Sequence, residues 1–183
     1  MRRNIESRWL TKKMNERAPT QIELFSQEIR NMCARDQNMR ERALANGGII
    51  ENEEDNTLDA RNTERMKEII RQIGWPTVSK AGKDVAHMAW LLVQHADHDV
   101  VFQRHCLELM KDSGKDVDQT DVAYLEDRVL VNEKSPQTYG TQFSDGVPRP
   151  IEDPDHVDER RKSVGLAPLA EGIKEHNEFY KNK

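Results

Sequence analysis

The segment WLLVQHADHDVVFQRHCLELM, Trp90 to Met110, sets Gln94, His95, Asp97, His98 and Asp99 between two apolar runs. An imidazole beside a carboxylate in a partly buried place is suited to moving a proton near neutral pH. The carboxylate fixes the tautomer, and the other ring nitrogen takes or gives the proton. Gln94, His95 and Asp97 fit that description, with His95 as general base or acid and Asp97 as the group that orients it. His95 and His98 also form an HxxH pair. Two imidazoles one turn apart hold zinc or iron when a carboxylate joins them, here from Asp97, Asp127 or Asp36. No HExxH, second HxxH or CxxC accompanies the pair. Acid–base chemistry without a cofactor is therefore the preferred expectation, and a divalent metal on His95 and His98 is the alternative. Polar groups at a helix corner also cap backbone N–H and C=O groups and do nothing else.

Two further stretches carry functional residue types. In LEDR, Asp127 and Arg128 sit on an amphipathic helix; Arg128 can clamp a carboxylate from a substrate or from Asp36 through paired hydrogen bonds, although such charges usually form a solvated face. QTYGTQF places Gln137, Tyr139, Thr141 and Gln142 around Gly140, a pattern shared by binding loops and ordinary turns. Tyr139 or Gln142 would donate to a developing oxyanion. GxxxxGK[ST], GxSxG and a paired reactive cysteine are missing, so phosphate-loop and serine or cysteine hydrolase chemistry lack support.

The elements that must position these groups read mostly as helices. Thr20 with Glu23 is a capping box opening a helix that Gly47 and Gly48 stop. Its inward stripe runs Ile22, Phe25, Ile29, Met32, Met39 and Ala43, with Asp36 in an apolar slot. Either Asp36 is buried against a partner, with Arg40 one turn later in reach, or the helix leaves the core there and exposes both charges. A second helix runs from Leu58 to Ile73, with Asn62 near its inward face, and ends at Gly74 before Pro76. A third starts near Ser79 or Lys80 and is apolar nearly all round, which marks it as central. Asp99 reads as the N-cap of a fourth, Val100 to Met110, with Gln103 in its first turns, so the polar knot is a helix–helix corner. Thr120 or Asp121 caps a fifth. The segment from Lys134 to Asp155 is Pro- and Gly-rich and reads as irregular or a short hairpin. A short charged helix ending at Gly165 and a last short helix with a fraying tail complete the chain.

The 183 residues suit one domain, and 33 % charged with 5 % aromatic residues suits a helical protein with solvated faces. A net charge of −5 argues against nucleic acid as partner. No run is long and apolar enough for an integral membrane span, and no secretory h-region is visible. Cys33 and Cys106 form no metal or disulfide pattern and read as buried reduced thiols of a cytoplasmic protein. The basic start, Arg2 to Arg17, reads as a solvated helix or tail, with a membrane-surface helix as the other possibility.

DQNMR, GWPT, QHAD followed by FQ, LEDRV, QTYGTQF, PIEDPDHVDERR and GLAPL occur in an order that resembles an uncharacterised bacterial family known as a domain of unknown function. The resemblance runs from about Asp36 to Leu169 and implies no established activity. It implies that the polar misfits are hallmark positions, among them Asp36, Gln37, Arg40, Gln94, His95, Asp97, Gln103, Asp127, Arg128, Gln137, Tyr139, Thr141, Gln142 and Arg161. Misfits on the inward faces of several helices point to one shared polar pocket.

The expected fold is mostly α, an irregular helical bundle around a central helical hairpin with an irregular Pro/Gly-rich C-terminal segment. The expected organisation is a basic helix or tail over 1–19, one helical domain over 20–170, and a tail over 171–183. The expected function is a small biosynthetic-type enzyme acting on a small polar or carboxylate-bearing molecule or a peptide side chain. His95, Asp97, Arg128 and Tyr139 would be catalytic. Asp36, Arg40, Gln94, His98, Gln103, Asp127, Gln137, Thr141 and Gln142 would bind substrate. The competing expectations are a non-catalytic binding or interaction module, and the metal-dependent enzyme above.

Overall fold

The computed structural model describes residues 17–50 and 52–181. Most of the expected basic N-terminal helix or tail, residues 1–16, lies outside the described residues. Helix α1, Gln21–Ala45, opens on the capping box: the Thr20 hydroxyl accepts from Glu23 N, and the Glu23 carboxylate accepts from Thr20 N at 2.7 Å. Its buried stripe is Phe25, Ile29, Met32, Cys33, Asp36 and Met39. Asp36 is fully buried, so the helix does not leave the core there.

A one-turn helix α2, Glu53–Asn56, leads into α3, Leu58–Ile73, which buries Asn62 and Thr63 beside Met66, Ile69 and Ile70. After Gly74, Trp75 folds inward, and Lys80 Nζ donates to the carbonyls of Ile73 and Trp75 at 2.6 and 2.9 Å. The single helix expected from Ser79 or Lys80 is two: α4, Val78–Ala81, and α5, Lys83–Gln94. The break is Gly82 at φ 88°, a left-handed conformation that a residue with a Cβ adopts at a cost.

Helix α5 is the centre. It packs against α1, α3 and α4, and against α6, Val100–Asp112, and α7, Gln119–Asn132. Asp99 caps α6 by accepting from Phe102 N at 3.0 Å, so the expected corner is there. The cap of α7 is Asp118, which accepts from Thr120 N and Oγ1 at 3.0 and 2.7 Å. Thr120 and Asp121 do not cap it: Thr120 bonds to the cap, and Asp121 is buried with its carboxylate on His87.

The Pro/Gly-rich segment contains a two-residue hairpin, β1 Phe143–Ser144 against β2 Val147–Pro148, turned by Asp145-Gly146. Helix α8 follows at Val157–Ser163. The end of the chain, expected as a short helix and tail, forms the 13-residue α9, Leu169–Lys181, whose His176 ring stacks on Phe143 at 4.0 Å. The fold is mostly helical with one small two-stranded sheet, and no helix among the described residues is long and apolar enough to cross a membrane.

Candidate active site

The expected single pocket resolves into two adjoining polar regions. The first lies where α1, α3 and the end of α5 meet. Asp36 accepts from Gln37 Nε2 at 2.7 Å and from Arg40 Nε at 3.3 Å to each oxygen. His95 Nδ1 lies 3.0 Å from Asp36 Oδ2 and 3.1 Å from Oδ1. Burial alone would push the Asp36 carboxyl up; the His95 contact and the Arg40 charge outweigh it and hold the group below its ordinary value. Arg40 also reaches α3, donating from Nη2 to Asp59 Oδ1 at 2.7 Å.

Asp36 favours one tautomer of His95. A bare Nδ1 would aim its lone pair at both carboxylate oxygens, which also carry lone pairs. A proton on Nδ1 removes that repulsion and donates to Asp36. Arg40 Nε also sits 3.0 Å from Nδ1 with its N–H aligned on it, a contact that suits the other tautomer; two carboxylate oxygens at 3.0 and 3.1 Å weigh against that one N–H, which Asp36 also accepts at 3.3 Å. Nε2 then carries the lone pair, and no described residue hydrogen-bonds to it. The His95 side chain keeps 14 % exposure.

His95, Asp36 and Asp59 offer ligand atoms within 4.8 Å of one another, a carboxylate and imidazole set that could hold a cation. Arg40 hydrogen-bonds to Asp36 and Asp59 and lies 3.0 Å from His95 Nδ1, so its guanidinium already places a positive charge among them. His98 is exposed and does not belong to this set, and neither do Asp97 and Asp127.

The second region closes the corner and holds the loop 137–142. Asp97 does not orient His95, as expected from their closeness in sequence. Its carboxylate faces Arg128 Nε at 2.9 Å, Asn132 Nδ2 at 2.8 Å and Gln103 Nε2 at 3.2 Å. Buried Gln103 also donates to the carbonyls of Val93 and Gln94 at 3.1 and 3.2 Å, and Arg128 donates to the latter. These carbonyls end α5 and have no partner inside the helix, although Ala96 N just beyond it donates to Val93 O at 3.0 Å. Arg128 therefore clamps Asp97 rather than Asp36, and its Nη1 donates to Gln142 Oε1 at 3.0 Å.

Asp127 is fully buried and organises the loop. It accepts from the backbone N–H groups of Thr138, Tyr139 and Thr141 at 2.7 to 2.9 Å, and from the Thr141 hydroxyl. Burial pushes its carboxyl up, against the opposing pull of those donors. Gln137 is fully buried, donates to the carbonyls of Gln142 and Arg149, and accepts from Gln142 N. Gln142 Nε2 donates to Tyr124 O and Thr141 Oγ1 and so is already engaged, not held ready for an oxyanion. Tyr139 is half-buried, and its phenol makes no hydrogen bond to a described residue. Gly140 at φ 72° faces Leu169 and Ile151 so closely that a Cβ would stand 2.8 and 2.9 Å from their Cδ1 atoms. Buried Arg161 ties the loop to α8, donating to Tyr139 O at 2.7 Å and Ala167 O at 2.6 Å.

His95, Asp36 and Arg40 thus come together, and Gln94, Asp97, Gln103, Arg128, Gln142, Asp127, Gln137, Thr141 and Tyr139 form the adjoining network. His98 joins neither. Asp59 and Asn132 were not singled out by the sequence. Asp59 reads as an ordinary first-turn acid, and only its position one turn before buried Asn62 marks it. Gln94 Oε1 and Asn62 Nδ2 are buried without a hydrogen-bond partner among the described residues.

Residues 23–183 match the model of a family described as a family of unknown function, DUF6624. No curated protein and no solved structure matches the chain.

Proposed function

We propose a function for a chain that belongs to DUF6624, a family of unknown function: acid–base catalysis at His95 on a small polar or carboxylate-bearing molecule or a peptide side chain. The observation that carries this reading is the Asp36–His95 contact, in which a fully buried carboxylate holds Nδ1 and leaves Nε2 without a partner among the described residues. A base so oriented takes a proton at Nε2, and the resulting imidazolium is stabilised by Asp36. Asp36 takes the orienting role that Asp97 had in the sequence reading. Arg40 takes the anion-holding role of Arg128, since its Nη1 makes no hydrogen bond to a described residue and its side chain is 35 % exposed. Arg40 also keeps the two carboxylates beside His95 from facing each other unbalanced. The buried Cys33 and Cys106 fit the cytoplasmic setting proposed with this reading.

A second reading has its own observation. Asp127 and Gln137 direct most of their hydrogen bonds to loop backbone, and Gln103 gives half of its own to the end of α5. In that reading the whole network is structural and the protein is a binding or interaction module.

Thermal unfolding against a panel of dicarboxylates, amino acids and short peptides, with product detection by mass spectrometry, separates the two. A true ligand at a hundred times its Kd stabilises wild type by about 2.7 kcal/mol. We expect at least one panel member to do so and to be turned over, and His95→Gln to abolish turnover. Equal turnover by folded His95→Gln would sink the catalytic reading.

A further inference from the structure

A second site lies away from the dyad, between α3 and α6. Both helices pack on α5 but scarcely on each other, so they leave a groove of about 380 Å³ above it. That volume falls within the range of about 300–1,000 Å³ typical of small-molecule sites. The floor is apolar: Ile70 and Phe102 are buried and Leu109 is half-buried. The rim carries Lys67, Arg71 and His105 and no acidic residue.

The three rim groups differ in what remains available. Lys67 already serves Glu64 and Asp99 at 2.6 and 2.7 Å. Arg71 and His105 are exposed and make no hydrogen bond or ion pair with a described residue. Arg71 sits one turn after Lys67 on α3, and His105 one turn after Phe102 on α6, so both helices bring a spare donor to the same apolar trough. On a chain of net charge −5, a trough whose lining carries donors and no carboxylate is a local exception, the carboxylates of Glu64 and Asp99 at its edge being engaged by Lys67.

We propose that this groove binds a small amphiphile with one anionic head and an aliphatic body. The head lies between Arg71 and His105. A carboxylate matches the planar fork of the Arg71 guanidinium. The body lies over Ile70, Phe102 and Leu109, which takes the amphiphile's own apolar surface out of water and covers what Leu109 still exposes. Neither contact suffices alone, because the head is exposed to solvent screening and the floor does not distinguish one hydrocarbon from another.

Calorimetric titration of the full chain with octanoate, octan-1-ol and acetate tests it, with amide chemical shifts of Gly74 and Phe102 as the positional readout. Octanoate is expected to bind saturably and to move both amides, and octanol and acetate to bind at least tenfold more weakly. Arg71→Glu and His105→Glu are surface changes whose folding circular dichroism verifies. Arg71→Glu is expected to weaken octanoate at least tenfold, and His105→Glu to weaken it in the same direction. Absence of saturable octanoate binding, equal binding of acetate or octanol, or unchanged affinity in folded Arg71→Glu would each overturn the proposal. None of these results bears on His95, which does not line the groove.

Discussion

Asp36 and Asp127 are both fully buried carboxylates on helices that pack against α5, yet their surroundings differ in kind. Around Asp127 the donors are three backbone N–H groups and one hydroxyl, all from a loop 11 to 14 residues away. Around Asp36 the donors are side chains: an amide, a guanidinium and an imidazole whose far nitrogen has no partner among the described residues. A carboxylate that satisfies backbone groups fixes a chain path, and the groups it meets have nothing further to offer. A carboxylate that holds a side chain by one end leaves the other end able to act. The contrast separates scaffold from candidate chemistry within one continuous polar region.

Substitutions on the two sides should part stability from activity. Asp127→Ala leaves buried N–H groups without acceptors and is expected to destabilise by about 3 kcal/mol or more, read by denaturant unfolding. His95→Gln should cost about 1 kcal/mol in the same measurement. Equal costs would erase the distinction. Gln103→Ala is expected to come between them, at about 2 kcal/mol, because it uncaps the end of α5 while Arg128 still serves the Gln94 carbonyl.

The smallest effect lies in pH dependence, and the two carboxylates enter it with opposite signs. Asp36 has a lowered pKa in the folded chain, so its contribution is present above the ordinary aspartate range and is lost as pH falls through the folded value. Asp127 has a raised pKa, so its ionised form weakens the fold at neutral pH and acidification relieves that. Unfolding measured at pH 5 and pH 3 should therefore show a shallower acid loss in Asp36→Asn and a steeper one in Asp127→Asn. The same slope change in both would contradict the assignment.

Much of this was legible in the sequence where a polar residue broke an apolar period. Asp36, Arg40 and Asn62 stood out against the stripes of α1 and α3, and Asp99 announced the corner as an N-cap. What was not legible was pairing. His95 lies two residues from Asp97 and 59 from Asp36, and sequence proximity favoured the nearer carboxylate. At the corner, Asp97 turns toward α7, where Arg128 and Asn132 wait, and the packing of α1 on α5 delivers Asp36 to the imidazole. The cap of α7 was misplaced for a local reason: DQTD offers three capping residues in four positions, and the sequence does not rank them. The break at Gly82 was missed because isolated glycines inside helical patterns are tolerated.

The short reach of the bonds around Gln103 and Asp127 also bears on how the chain folds. Gln103 closes a loop of 9 residues onto Gln94, and Asp127 closes loops of 11 to 14, whereas the Asp36–His95 contact closes one of 59. Short loops lose less entropy on closure and form sooner. The turn at the corner and the loop on Asp127 thus each close within a short stretch of chain, and contacts spanning 29 to 35 residues join them. The Asp36–His95 contact exists only when α1 is docked on α5, so it depends on the longest closure in the region.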